Sequence, residues 1–156
     1  MPIDSDVAAD PERFMRLAIE AARIAEADGD LPIGAVAVVG GEVIASAGNR
    51  RTVDGDPTAH AELLVLRDAA TQTGEWRLND LTVVVTLEPC PMCAGALWAA
   101  RVGGLVFGAA DMKAGATGSL YHLGSDPRLN HEYPTRGGVL AAECAAMLTD
   151  FFEARR

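Results

Sequence analysis

The segment 88–93, Glu-Pro-Cys-Pro-Met-Cys, constrains the fold of this chain more than any other feature. The residues before it, 81–86, are largely apolar and rich in valine, which predicts a buried central strand. Pro91 then takes the first position of a helix, where proline is favoured. Cys90 and Cys93 lie about one turn apart at the mouth of that helix, whose free N–H groups stabilise thiolates. The segment therefore predicts a strand, a turn and a helix around a candidate metal site.

The cysteine count narrows the chemistry of this pair. The chain has 156 residues and three cysteines, and an odd number with one close pair is not typical of a disulfide framework. In a reducing compartment a Cys-x-x-Cys pair indicates metal binding or a thioredoxin-like redox reaction. A redox pair needs no histidine partner, so the rest of the chain must distinguish the two interpretations.

A histidine and a glutamate at 58–62, Thr-Ala-His-Ala-Glu, supply what a metal site still requires. His60 adds a third ligand, and three protein ligands leave one position open, as in catalytic zinc sites. Residues two apart on a regular helix point about 200° from each other. His60 and Glu62 therefore converge only at the entry of a helix, for which Thr58 is the expected cap. Taken singly, His60 is also compatible with an ordinary polar residue, and Glu62 with an acid that compensates the helix dipole.

The order of elements predicts one domain with an α/β fold. Asp10 caps a helix that begins at Pro11 and ends at Gly29, and Gly40-Gly41 joins two strands in a hairpin. Helices then alternate with strands, which indicates a mixed sheet with helices on both faces, in a single domain spanning 1–156. The predicted elements after the first helix are strands 33–39 and 42–47, a loop 54–57, helix 58–71, strand 81–86, helix 91–101, strand 104–108, a loop-rich stretch 110–136 and helix 139–156.

Nothing in the sequence predicts export or membrane insertion. No apolar run approaches the roughly 18 residues of a membrane-spanning helix, and the first ten residues are acidic rather than arranged as a signal peptide. We therefore expect a cytoplasmic protein without a membrane partner.

The two motifs are far more specific together than apart. His-x-Glu at a helix start, followed later by Pro-Cys-x-x-Cys, is the signature of zinc-dependent nucleobase deaminases. The chain resembles the bacterial tRNA-specific adenosine deaminases from about residue 10 to its end. The matching stretches are 31–36, 49–50, 56–62, 86–96, 106–109, 113–115, 118–120, 130–131 and 150–152.

The resemblance implies a fold, a reaction and a set of site residues. The implied fold is a cytidine deaminase-like three-layer α-β-α sandwich with a mixed five-stranded sheet, assembled as a homodimer. The implied reaction converts adenosine to inosine at the wobble position of a tRNA anticodon loop, with one Zn²⁺ per chain. The implied roles are zinc ligation by His60, Cys90 and Cys93, proton transfer by Glu62, and substrate binding by Asn49, by the backbone near Ala61 and by Asp111.

The net charge of −9 opposes RNA binding at long range, so the few cations near the site carry the argument. Arg50 follows Asn49 and is expected at the mouth of the pocket, and Lys113 lies in the loop-rich stretch. Arg155 and Arg156 end the chain. Two alternatives stay open: a deaminase of a free nucleobase or nucleoside such as guanine or cytosine, and a non-catalytic zinc module, against which the presence of Glu62 argues.

Three further residues are interpreted without a catalytic role. His122 is expected in solvent within the loop-rich stretch. His131 either shapes the anticodon site or makes a local hydrogen bond, and both interpretations are open. Cys144 lies among alanines of the last helix and is expected to be a small core residue.

Overall fold

The computed structural model describes residues 2–156, and this part of the chain forms a five-stranded mixed sheet between helices. The helices are α1 Ser5–Ala9, α2 Pro11–Ala27, α3 Arg51–Asp54, α4 Ala61–Thr73, α5 Pro91–Ala99 and α6 Ala141–Glu153. The strands are β1 Gly34–Val39, β2 Glu42–Gly48, β3 Thr82–Leu87, β4 Gly104–Ala109 and β5 Thr135–Arg136. The predicted three-layer α-β-α sandwich is confirmed.

The sheet has the strand order β2-β1-β3-β4-β5, so β3 is central, as its apolar sequence predicts. β1 pairs antiparallel with both β2 and β3, whereas β3, β4 and β5 run parallel. Gly40 and Gly41 close the β1–β2 hairpin with φ values of 58° and 76°, which residues without a Cβ adopt readily.

Alternate residues of the central strands face two separate apolar cores. Val36, Val84 and Val106 face the core formed with α1, α2 and α6. Val83, Val85 and Leu105 face the other core, which includes α4 and α5. Because α4 and α5 cover the same face of the sheet, their N-termini can meet at one end of it.

Helix α2 begins as the sequence predicts, because the Asp10 side chain accepts a hydrogen bond from the Arg13 N–H and Pro11 follows it. It also packs very closely on the hairpin. Gly34 and Gly48 are paired across β1 and β2. A Cβ at Gly48 would lie 2.6 Å from the backbone oxygen of Ala21 in α2, so these glycines permit the close approach.

The cap predicted for α4 and one end of the predicted loop 54–57 are wrong, and two short elements were not predicted. Thr58 does not cap α4, because its N–H and hydroxyl both bind Asp56, and the helix begins after His60. Helix α1 has only five residues, too few to show a helical periodicity in the sequence. It forms where Asp4 accepts hydrogen bonds from the N–H groups of Asp6 and Val7. Part of the predicted loop 54–57 belongs to α3, and the short β5 lies within the loop-rich stretch 110–136.

The topology brings several chain segments to one edge of the sheet. β3 ends at Leu87 and β4 at Ala109, while the antiparallel β1 begins nearby at Gly34. The segment after β2, which starts at Asn49, reaches the same edge. Residues just beyond these strand ends therefore surround a common space, the usual position of a ligand site in an α/β fold. Among the described helices, none is long and apolar enough to cross a bilayer.

Candidate active site

His60, Cys90 and Cys93 converge at this edge although 30 residues separate the two motifs. The Nδ1 atom of His60 lies 3.7 Å from the Sγ atom of Cys90 and 3.5 Å from that of Cys93. A tetrahedral zinc with bonds of about 2.3 Å to sulfur and about 2.0 Å to nitrogen requires N···S separations of about 3.5 Å. The three side chains are thus positioned to bind one metal ion, and the donor set suits zinc.

Helix entry explains why these side chains point at a common centre. His60 is the residue before α4, with φ −81° and ψ 149°, and Cys90 is the residue before α5, with φ −72° and ψ 173°. Both are therefore extended rather than helical. Neither side chain caps its own helix, so both are available as ligands.

The surroundings of Cys90 favour its thiolate. A hydrogen bond from Cys93 lowers the pKa of the Cys90 thiol to about 4, with a further contribution from His60, although burial acts in the opposite direction. The backbone N–H of Cys93 also donates to this sulfur. A helix N-terminus therefore stabilises a metal-binding sulfur, as the position of Pro91 predicts.

Glu62 lies in the first turn of α4, beside the three metal-binding side chains. Its side chain is 4% exposed, and burial raises its pKa to about 7. His60 and Glu62 line the same cavity, so the two residues do converge at the helix entry. A carboxyl group with this pKa both accepts and releases a proton at neutral pH.

A cavity of about 290 Å³ opens beside these groups. Its volume suits a single nucleobase with part of its sugar rather than a long chain. Asn49 and Asp111, predicted as substrate contacts, both line it. The other lining residues are Leu31, Ile33, Arg51, His60, Glu62, Leu87, Glu88, Cys90, Ala114 and Phe152.

The backbone N–H of Ala61, predicted to help bind substrate, is engaged within the protein. It donates to the side-chain oxygen of Asn49 at 3.3 Å. The Asn49 side chain is 3% exposed and also hydrogen-bonds to Asp30. Asn49 therefore enters the cavity in an orientation that two neighbours fix.

Asp30 is a buried acid that the sequence argument did not single out. Its carboxylate accepts hydrogen bonds from the N–H groups of Leu31, Thr52 and Val53, at 3.0, 2.9 and 3.0 Å. Burial alone would raise the pKa of this carboxyl, but the bonds from Val53, Leu31, Thr52 and Asn49 outweigh it and hold the pKa below 3.8. Asp30 thereby connects α3 to the short segment between α2 and the hairpin.

We expect Asp30→Asn to destabilise the fold by about 2–3 kcal/mol at neutral pH, because an amide nitrogen replaces an acceptor of charged hydrogen bonds. The native pKa lies below 3.8, so this stability is present above pH 3.8 and is lost as the pH falls further. Urea unfolding at pH 7 and near pH 3 measures both effects. Asp28→Asn, at an exposed neighbouring acid, serves as the control. Equal stability of Asp30→Asn and wild type at pH 7 would contradict the prediction.

Glu88 is a second buried acid, 2% exposed, whose role the sequence does not predict beyond its place in the segment 88–93. Its carboxylate accepts from the N–H groups of Asp111, Thr117 and Ser119 at 3.0, 3.2 and 2.9 Å, and from the Ser119 hydroxyl. Burial opposes ionisation, but the bonds from Ser119, Asp111 and Thr117 hold the pKa of Glu88 below its usual value. No sequence motif marks these donors, because all but one are backbone groups.

The prediction that Arg50 lies at the mouth of the pocket is wrong by one residue. Arg50 forms an ion pair with Asp54, with 3.0 Å between Nη2 and Oδ1, and lines a neighbouring cavity. Arg51 lines the active-site cavity instead. Lys113 is exposed beside Asp111, whose carboxylate accepts from the Lys113 N–H at 3.0 Å.

The remaining histidines and the third cysteine lie apart from the metal-binding residues. His122 is exposed, as expected. The Nε2 atom of His131 lies 2.8 Å from the backbone oxygen of Val102, 29 residues earlier, so its hydrogen bond is not the local one expected within the loop. Cys144 is 1% exposed in the core beneath α6, which confirms it as a small core residue.

Comparisons with known proteins agree with this geometry. The family model for the cytidine and deoxycytidylate deaminase zinc-binding region matches residues 8–109. The chain is 48% identical over 145 residues to the tRNA-specific adenosine deaminase of Bacillus subtilis, covering 93% of this chain and 90% of that protein. It is also 48% identical over 146 residues to the enzyme of the same name from Haemophilus influenzae, covering 93% and 84%.

Solved structures of deaminases also resemble the chain in backbone and sequence. A structure from a study of A-to-I editing by tRNA deaminases at the wobble position of transfer RNA matches with a TM-score of 0.84 and 43% identity, over 87% of this chain and 99% of that one. A guanine deaminase from Nitrosomonas europaea matches with a TM-score of 0.77 and 27% identity, over 90% and 84%. The backbone similarity is therefore broad, and sequence identity is higher with the tRNA deaminases.

Proposed function

The chain belongs to the cytidine and deoxycytidylate deaminase family, and we propose that it hydrolyses adenosine to inosine at the wobble position of a tRNA anticodon. The observation that carries the substrate is the 48% identity with tRNA-specific adenosine deaminases over 93% of the chain. The zinc site alone would serve a guanine deaminase equally well. That alternative rests on the 27% identical relative and is weaker.

The residues around the cavity have separate roles in hydrolytic deamination, namely metal binding and proton transfer. His60, Cys90 and Cys93 would hold a zinc ion, which would supply Lewis-acid activation of the attacking water. Glu62, with a pKa near 7, takes one proton from the attacking water and delivers it to N1 of the base. It then takes the remaining proton of the new C6 hydroxyl group and delivers it to the amine, which leaves as ammonia. Burial keeps this carboxyl out of bulk solvent, so the proton passes to substrate rather than to water.

The substrate contacts follow from the lining of the cavity. Asn49, fixed by the Ala61 N–H and by Asp30, hydrogen-bonds the edge of the extruded base. Asp111 lies on the opposite segment, after β4, and faces the neighbouring nucleotide. An unpaired loop base is easier to extrude than a duplex base, which favours an anticodon loop.

The test of this function compares ammonia release from four substrates at equal concentration. They are an adenosine-containing anticodon stem-loop, free adenosine, guanine and cytosine. We expect release from the stem-loop to be fastest. Faster release from guanine or cytosine would reject the tRNA substrate but keep the assignment as a deaminase. No release from any of the four would indicate a non-catalytic zinc module.

Arg51→Gln is expected to weaken stem-loop binding severalfold and to reduce the slope of log K against log salt by about 0.7–0.9, the loss of one phosphate contact. Arg51 lines the cavity and makes no ion pair within the described residues, so its charge is available to a phosphate. Filter binding at several salt concentrations measures this slope.

Arg50→Gln is the matched control for this change. Arg50 is paired with Asp54, and an exposed pair contributes only about 0–1 kcal/mol to stability. The salt slope of this variant should stay at the wild-type value. Equal slopes for both variants would place the phosphate contact elsewhere.

We also place the protein in the cytoplasm as a homodimer. Met112, Leu120 and Tyr121 are 72%, 52% and 56% exposed on the segment that follows β4, and such exposed apolar side chains suit a contact with a second copy of the chain. Among the described residues the three cysteines form no disulfide, which suits a reducing compartment. Equilibrium sedimentation at micromolar concentration should give twice the chain mass, and a monomer would contradict the assembly.

A further inference from the structure

One wall of the active-site cavity has little regular structure of its own. Residues 111–119, here called the outer wall, follow β4 and supply Asp111 and Ala114 to the cavity lining. Within the wall the Gly115 N–H donates to the Asp111 oxygen at 2.8 Å, and the N–H of Leu120, the next residue after the wall, donates to the Gly115 oxygen at 2.9 Å. These turns alone do not fix the position of the wall relative to the metal-binding residues.

Glu88 makes the connection between the outer wall and the metal-binding segment. Each of its two carboxylate oxygens accepts two hydrogen bonds, and all four donors belong to the outer wall. Glu88 is only two residues before Cys90 and follows the central strand directly. One side chain thereby joins the wall to the end of the buried central strand.

Two neighbouring contacts complete this junction. The Ala116 N–H donates to the Pro89 oxygen at 2.8 Å, and the Glu88 N–H donates to the Ala109 oxygen at 2.8 Å. Gly115 packs directly on the Glu88 carboxyl group, and a Cβ there would overlap it. The wall is therefore shaped around a carboxylate rather than around an apolar side chain.

The four bonds also exclude a direct chemical role. An ionised carboxylate offers about four acceptor positions, and the four donors of the wall use them. The proposed function assigns proton transfer to Glu62, in the first turn of α4.

We propose that Glu88 is a positioning residue that holds the outer wall, and with it Asp111 and Ala114, at the distance that the substrate nucleotides require. This proposal rests on the tRNA deaminase function proposed above. The outer wall contacts substrate away from the reacting amine, so releasing it removes binding that ground state and transition state share. Such a loss raises KM and leaves kcat nearly unchanged.

The experiment compares wild type with Glu88→Gln, Ser119→Ala and Asp4→Asn. A glutamine keeps the shape but turns an NH₂ group towards two of the donors, whatever its orientation. Ser119→Ala is a milder change that removes only the hydroxyl bond and preserves the carboxylate. Asp4→Asn is the control, because Asp4 accepts three backbone bonds, from Asp6, Val7 and Gly41, far from the cavity.

We expect Glu88→Gln to raise KM for the stem-loop about tenfold or more, with kcat within about threefold of wild type and zinc content unchanged. Ser119→Ala should show the same effect at smaller size, and Asp4→Asn should leave KM unchanged even where it lowers stability. Amide hydrogen exchange should become faster at 111–119 in Glu88→Gln and at the β1–β2 turn in Asp4→Asn.

Unchanged exchange at 111–119 in Glu88→Gln would overturn the proposal, as would faster exchange with an unchanged KM. A fall in kcat as large as the rise in KM would assign Glu88 to the reaction itself. If wild type deaminates no RNA, the proposed function fails, and hydrogen exchange still decides whether Glu88 holds the wall.

Discussion

Glu62→Gln is expected to lower kcat by about 10²–10⁴-fold, the usual contribution of a positioned general acid and base. This corresponds to about 3–5 kcal/mol of transition-state stabilisation. Glutamine has the same shape as the neutral acid but cannot carry a proton from water to the base. Glu62 contributes no ligand atom to the group formed by His60, Cys90 and Cys93, so zinc content should stay at one per chain.

Single-turnover kinetics on the stem-loop, combined with metal analysis of the same sample, measures both parts of this prediction. Glu12→Gln is the matched control, because Glu12 is the second residue of α2 just as Glu62 is the second residue of α4. Its carboxylate contributes only about 0.3–1 kcal/mol through the helix dipole, with no effect on turnover. Activity of Glu62→Gln within a few-fold of wild type would remove Glu62 from the mechanism, and loss of zinc would make it a ligand.

Cys93→Ser is expected to abolish both zinc binding and activity, and to lower the melting temperature substantially. Cys93 is fully buried at 0% exposure, so no other group can reach the position of its sulfur. A metal held at about 1,000 times its Kd contributes about 4 kcal/mol to folding stability. For a chain of this size that is about 8–16 °C in melting temperature.

Thermal unfolding with and without a chelator separates the metal contribution from side-chain packing. The chelator should lower the melting temperature of wild type and of Cys144→Ala, whose cysteine lies in the other core, but not that of Cys93→Ser. Full zinc content in Cys93→Ser would reject the ligand assignment. A chelator effect of equal size in wild type and Cys93→Ser would show that the stabilising metal binds elsewhere.

The sequence predicts the parts of this fold that have a local cause. Pro91 and the capping Asp10 specify where α5 and α2 begin, and the valines of 83–85 specify a central strand. The metal-binding residues are predictable for the same reason, because two short motifs each contain their own geometry. The three-layer fold followed from the resemblance that these motifs and others carry.

The features that the sequence did not predict depend on partners distant in the chain. Glu88 looks like one more residue of the metal motif until donors 23 to 31 residues away are seen to fold around it. Asp30 is bonded by Thr52 and Val53, more than 20 residues later. Arg50 and Arg51 are adjacent and chemically identical, yet Arg50 pairs with Asp54 whereas Arg51 lines the cavity.

The bonds that hold the outer wall have a consequence for how such a protein can evolve. Three of the four donors to Glu88 are peptide N–H groups, which every amino acid except proline supplies. Side chains at 112–114 can therefore be exchanged without loosening the wall, whereas proline at 111, 117 or 119 would each remove a donor. A random library across these positions should yield folded proteins with altered preference for the nucleotides beside the target base. Substitutions in this segment can then change the substrate, while Glu88 continues to hold the segment in place.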